Sequence, residues 1–248
     1  MPDQFSRTAM LFGRDSVNKL RSRRVAVFGI GGVGGHCAEA LCRTGVGALD
    51  LFDGDIVDVT NINRQIIATH RTVGRDKAEV MRERMLDINP EASVNAHKLF
   101  YLPETADKVD LTVYDYIIDA VDTVTAKIEI VRRTSALGIP VISSMGAADK
   151  LDPTLFKVAD IYETSVCPLA RIMRAELRKR GIESLKVVYS TEPPSKTEAV
   201  CEDDIEFWNE KAASTGRRRI PASNAFVPPV VGLIMACEVV KDLLHSPR

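Results

Sequence analysis

Residues 29–35 read GIGGVGG, which places Gly29, Gly31 and Gly34 in the spacing GxGxxG, with Gly32 in the same loop. Glycines so spaced let the backbone turn tightly and approach a pyrophosphate. A helix opening behind them offers free N–H groups and a positive dipole end to phosphate. About 20 residues further on stands Asp53, where an acid can bind ribose hydroxyls. Together these residues point to a bound nucleotide.

A polar constellation follows at once: Asp55, Asn61, Asn63, Arg64 and Gln65 in one stretch, then Lys77 at the start of the next helical pattern. A nicotinamide dinucleotide enzyme, the default owner of GxGxxG, needs no cationic pair at this place. An enzyme that cleaves a triphosphate does, because negative charge builds on the phosphates in the transition state and Arg or Lys must meet it. Asp122 supplies a hard oxygen ligand for a divalent cation. The set Asn61, Arg64 and Lys77 therefore favours ATP with Mg2+ over a dinucleotide, which stays as the competing class.

The elements that must position these groups alternate. Apolar runs rich in β-formers at 24–30, 49–52, 93–98, 114–120 and 140–144 read as strands. Between them, 33–43, 76–88 and 128–137 carry helical periodicity, with Asn89-Pro90 and Gly138 as stop signals. Such alternation predicts right-handed βαβ units and an α/β, Rossmann-like, mostly parallel sheet flanked by helices. Asp122 then falls at the carboxyl edge of the fourth strand, where ligands bind in open α/β sheets. Further strands at 155–161 and 186–189 predict an antiparallel extension in the C-terminal part, with an arginine-rich helix at 167–180. A long polar loop is expected at about 195–222, and a buried helix at about 230–244 closes the chain. The expected organisation is one domain over 1–248, with a nucleotide-binding core at 1–160 and a C-terminal part at 161–248.

Composition excludes several classes. With 33 Lys and Arg against 34 Asp and Glu, a nucleic-acid partner must be held by a local basic patch. The longest apolar stretch, 226–237, is too short to span a bilayer and holds two prolines, so no membrane span is expected. The N-terminus lacks the apolar core of a signal peptide. Five scattered cysteines without a CxxC pair argue against a zinc site or a disulfide framework and for a reducing, cytoplasmic setting.

The quoted motifs resemble a known family. GIGGVGG, then DGD at 53–55, NINRQ at 61–65, GRDKAE at 74–79 and DAVD at 119–122 are similar to the ThiF/MoeB/HesA superfamily, adenylating domains related to ubiquitin-activating enzymes. The resemblance spans residues 5–160. It implies a homodimer that binds Mg-ATP, with Asp53 on the ribose, Asn61, Arg64 and Lys77 on the phosphates, and Asp122 supporting magnesium. Arg7, in FSRT, resembles the arginine that the family sends into the partner's active site. The chain lacks the zinc-binding CxxC pairs of the sulfur-carrier activators. Shorter motifs, TAMLFG at 8–13, RTGVGAL at 43–49, LDPT at 151–154 and VVYSTEPP at 187–194, resemble the tRNA threonylcarbamoyladenosine dehydratase branch. That branch implies ATP-dependent ring closure of a modified adenosine in tRNA through an acyl-adenylate. The alternative is adenylation of the C-terminus of a ubiquitin-like or sulfur-carrier protein, and a sulfur-handling protein is a further candidate partner.

A tRNA partner asks for basic surface. Arg217, Arg218 and Arg219 in the long loop are the first candidates, followed by Arg174 and Arg178 on the arginine-rich helix, where sequence-independent phosphate contacts would suffice. Solvated charge is the ordinary reading of such runs. Cys201 stands where thioester-forming relatives carry a catalytic cysteine, but its acidic neighbours Glu198, Glu202, Asp203 and Asp204 oppose a thiolate. Cys37, Cys42 and Cys237 read as packing residues, and His36 as a helix-surface histidine. Trp208 reads as an anchor for the loop, and Met10, Leu11 and Phe12 as a packing turn against a partner subunit.

Overall fold

The computed structural model describes residues 2–195, 210 and 221–245. Seven strands form one sheet: β1 (Arg24–Phe28), β2 (Ala48–Phe52), β3 (Ser93–His97), β4 (Tyr116–Asp119), β5 (Val141–Ser144), β6 (Phe156–Asp160) and β7 (Lys186–Ser190). Their order is β3-β2-β1-β4-β5-β7-β6. All neighbours are parallel except β6 with β7, the antiparallel extension expected from the sequence. The central strands are buried on both faces, which is why they read as continuous apolar runs rather than alternating ones. Chain order reverses between β1 and β4, and in open α/β sheets ligands bind outside the carboxyl ends of the strands at such a switch point.

The helices are α1 (Ser6–Phe12), α2 (Arg14–Arg21), α3 (Gly34–Thr44), α4 (Lys77–Ile88), α5 (Val124–Leu137), α6 (Pro168–Arg178) and α7 (Val227–His245). One face of the sheet is covered by α2, α3, α4 and α7, whose Leu20, Leu41, Met81, Met85, Val231 and Val239 share a core with Val25, Val27, Leu49 and Leu51. Met173 and Leu177 of α6 pack with Val131 of α5 and Val187. On the face behind β1 and β4, Phe28, Phe52, Tyr101 and Ile130 close a third cluster.

Two helix starts and one whole helix differ from expectation. Helix α5 starts at Val124, because Thr123 already has extended backbone and the polar TVTAK opens the helix without an apolar stripe. Helix α7 starts at Val227 and takes Pro228 and Pro229 into its first turn, where an absent N–H costs nothing. Asn224 Oδ1 accepts the N–H groups of Phe226 and Val227 there, at 3.2 and 2.8 Å. Helix α2, with Val17 and Leu20 buried, has no counterpart in the expected elements. Cys37 and Cys42 are buried as expected, but Cys237 is exposed, which corrects its reading as a packing residue. It falls on the α7 stripe of exposed Leu233 and Lys241, four residues to either side, whereas Met235, Ala236 and Val239 point inward.

Candidate active site

The glycine loop leaves β1 and enters α3 in a conformation that side chains would obstruct. Gly29 has φ +89°, and a Cβ on it would lie 2.7 Å from the carbonyl oxygen of Ala120. A Cβ on Gly34 would come to 1.8 Å from the oxygen of Gly29. At Gly31 the nearest atom is Gln65 Nε2 at 3.9 Å, so this glycine borders open space. Gly32 is roofed by the first turn of α7, with Pro228 Cβ 3.0 Å from its Cβ position. A narrow cradle results between the ends of β1 and β4, with N–H groups of the loop and of α3 at its rim.

Asp53 directly follows β2 and is bound to the cradle itself. Its Oδ2 accepts the N–H of Ile30 at 2.7 Å, and its Oδ1 accepts that of Asp55 at 2.8 Å. Burial pushes its carboxyl above the usual carboxylate range, and the nearby charge of Lys77 partly offsets this. Lys77 opens α4, held by its own N–H to Asp55 O at 3.0 Å, while its Nζ reaches Asp55 Oδ2 at 3.0 Å.

The NINRQ segment folds as a 3-10 turn, Val59–Asn61, and its continuation. Asn61 is spent largely on that turn: its Oδ1 accepts Asp58 N–H at 3.1 Å in a reciprocal capping box. Arg64 lies over Gly32, its Cγ 3.4 Å from the Cβ position there. Its Nη1 donates to Thr60 O at 3.0 Å and to Asn63 Oδ1 at 2.8 Å. Burial lowers the Arg64 guanidinium from its ordinary value, against the charges of Asp58 and Asp122. Asn63 is exposed and donates to Ser223 O at 3.0 Å, so its amide links Arg64 to the segment leading into α7.

Gly29, Gly31, Gly32, Gly34, Asp53, Asp55, Asn61, Asn63, Arg64, Lys77 and Asp122 are thus brought together around the glycine loop. Arg7 is not among them. It is exposed on α1, and its side chain makes no hydrogen bond or ion pair among the described residues. His36 is half-buried rather than on the surface, donating from Nδ1 to Gly32 O at 2.8 Å, and burial pushes its imidazole down. Two buried, ion-paired groups are not singled out as site residues by the sequence: Asp119, the first residue of the DAVD motif, and Lys127, which lies in no quoted motif.

The residues present fit a nucleotide. Besides the cradle, Gln65 Oε1 is buried beside the glycine loop without a hydrogen-bond partner among the described residues. No group of three or more His, Cys, Asp or Glu among the described residues is placed to hold a metal unaided. Mg2+ ordinarily binds through one or two carboxylates together with substrate phosphates and water, so the exposed carboxylate of Asp122 is a suitable donor.

On α6, Arg174 Nη1 donates to Thr164 O at 2.9 Å and to Thr164 Oγ1, and Arg178 lies over the Tyr162 ring at 5.1 Å. Lys179 and Arg180 both pair with Glu176. Much of this basic helix is therefore engaged within the chain. Arg217, Arg218, Arg219, Cys201 and Trp208 lie outside the described residues. No helix among the described residues is long and apolar enough to cross a membrane.

The ThiF family model matches residues 5–248. The tRNA threonylcarbamoyladenosine dehydratase of Bacillus subtilis is 46% identical over 99% of this chain and 96% of its own length. That of Escherichia coli is 34% identical over 97% of this chain and 93% of its own. The crystal structure of the E. coli enzyme in complex with ATP superposes with a TM-score of 0.84, at 32% identity, covering 97% of this chain and 93% of that one.

Proposed function

This chain belongs to the ThiF family, and we propose that it is an ATP-dependent enzyme that closes threonylcarbamoyladenosine in tRNA into its cyclic form. The observation that carries the proposal is the meeting of the glycine cradle, Asp53, Arg64 and Lys77 at the β1–β4 switch point. The names of the Bacillus and E. coli relatives, and the ATP bound to the latter, support it.

The chemistry follows from what the residues can do. Glycine-loop N–H groups and the N-terminus of α3 receive the phosphates, and Asp53 receives the ribose. A threonine carboxylate oxygen attacks the α-phosphorus, the bond to pyrophosphate breaks, and charge grows on the departing oxygens. Arg64 and Lys77 meet that charge in a partly water-excluded site, where fixed cations act most strongly. Asp122 would hold magnesium, which would neutralise further negative charge on the phosphates. A nitrogen of the same modification then attacks the activated carbonyl and AMP leaves. Both partners of this second step belong to one nucleoside, so proximity supplies much of its rate.

The protein acts as one adenylating unit over 1–248 and as a homodimer. Met10 and Leu11, 87% and 77% exposed, offer an apolar contact on α1, and Arg7 of each protomer serves the partner's site. Its tRNA is held by phosphate contacts from Arg217, Arg218 and Arg219, with Arg174 and Arg178 in support, and it works in the cytoplasm. Pyrophosphate release from Mg-ATP tests the reading. It should depend on tRNA carrying threonylcarbamoyladenosine. Release that instead required the C-terminal tail of a small carrier protein would move the chain to the carrier-activating branch.

A further inference from the structure

Beneath the site, a saturated ionic cluster joins the ends of two strands. Lys127 and Asp119 have no exposed side-chain surface. Lys127 Nζ donates to Asp119 Oδ1 and Oδ2 at 3.2 and 3.1 Å, to Ser143 Oγ at 3.3 Å and to Ser144 O at 2.7 Å. Ser143 Oγ donates to Asp119 Oδ2 at 2.5 Å. An ammonium has three protons to give, and here all have acceptors. A buried ion pair is weak support for stability, since an apolar pair of like volume often serves as well. The cluster therefore needs a reason other than holding the sheet.

Its upper contact supplies one. Asp119 Oδ1 also accepts the N–H of Val121 at 3.3 Å, the first residue that turns away from β4. The same turn is the wall of the glycine cradle: Ala120 O lies 2.7 Å, and Val121 N 3.0 Å, from the Cβ position of Gly29. Ala120 Cβ lies 3.1 Å from that of Gly34, and Ala120 N–H is bound to Phe28 O at 2.9 Å. Asp122, whose charge acts on Arg64, is the next residue along.

We propose that Asp119, Lys127 and Ser143 are positioning residues: they fix the 120–122 turn against the glycine loop and so set the carboxylate of Asp122 relative to the phosphate site. The inference rests on the nucleotide-site reading above, which concerns only the residues that touch the ligand.

The test is ATP affinity, by calorimetry on the full chain with magnesium and without tRNA, beside thermal unfolding and amide exchange at Val121. Asp119→Asn and Lys127→Met each leave a buried charge unpaired and should lower the melting temperature sharply. The double variant Asp119→Leu/Lys127→Met removes both charges and should regain much of that loss. Its ATP affinity should stay about 10-fold or more below the parent's, in the range that supporting shells around ligating groups command, with faster exchange at Val121. A folded double variant that binds ATP as the parent does would overturn the proposal. If the double variant does not fold, Ser143→Ala carries the test, because it leaves the ion pair intact. Weakened ATP binding with faster exchange at Val121 supports the proposal, and parental values for both overturn it. A parent protein that binds no ATP would sink the nucleotide reading itself, an outcome separate from a variant that matches its parent.

Discussion

Lys77 and Asp55 form an unequal pair: the lysine side chain is 8% exposed, the carboxylate 3.0 Å from its Nζ is 55% exposed. A largely buried ammonium is held by a partner that water already solvates, so the attraction is weak and readily exchanged for phosphate. Lys77→Ala should therefore lower ATP turnover by roughly 100-fold or more, as losing one charge-stabilising group typically does. Because Asp55 is left in water, unfolding free energy should change by no more than about 1–2 kcal/mol. Turnover assays beside denaturant titration check both halves, and near-normal turnover in a folded variant would remove Lys77 from the site.

Asp53 serves the fold as well as the ligand. Asp53→Ala deprives the N–H groups of Ile30 and Asp55 of their acceptor. Leaving such donors unsatisfied costs about 1–3 kcal/mol each where water cannot reach them. Asp53→Ala should lower both stability and ATP affinity, read by denaturation and calorimetry. Loss of affinity with unchanged stability would mean that the two hydrogen bonds contribute nothing.

The glycines of the loop should separate by position. Gly34→Ala forces a methyl to 1.8 Å from Gly29 O, and Gly29→Ala combines φ +89° with a clash at Ala120 O. Both should destabilise the fold severely or abolish soluble expression. Gly31→Ala meets only Gln65 Nε2 at 3.9 Å, so it should fold normally and weaken nucleotide binding alone. Thermal melts of the three variants decide this.

His36 should make stability depend on pH. Burial lowers its pKa in the folded state from the ordinary 6.5. The unfolded chain therefore takes up the proton first as pH falls. The neutral imidazole's contribution is fully present above about 6.5 and is lost as pH drops from there through the lowered folded value. Melting temperature should decline over that window, and His36→Gln should flatten that part of the profile.

Much of this was legible in the sequence, for physical reasons. The parallel strands are buried on both faces, and their apolar runs place β1, β2 and β4 within a few residues. The glycine loop and Asp53 must sit at strand ends, so their spacing carries their geometry. The first turn of α5 and helix α2 were hidden, because the former is polar and the latter packs only through Val17 and Leu20. The buried Lys127 was hidden too, since its acceptors Asp119, Ser143 and Ser144 come from two strands that only the fold brings together. Asn63 belongs with them: its amide spans 160 positions to Ser223, a contact no local pattern encodes.

The central claim is a change in a nucleoside, and mass spectrometry of that nucleoside tests it most directly. Purified protein, Mg-ATP and tRNA carrying threonylcarbamoyladenosine should yield, after digestion under mild conditions, a nucleoside lighter by one water, formed only with ATP and not by Lys77→Ala. Unchanged threonylcarbamoyladenosine from a protein that demonstrably binds ATP would contradict the account.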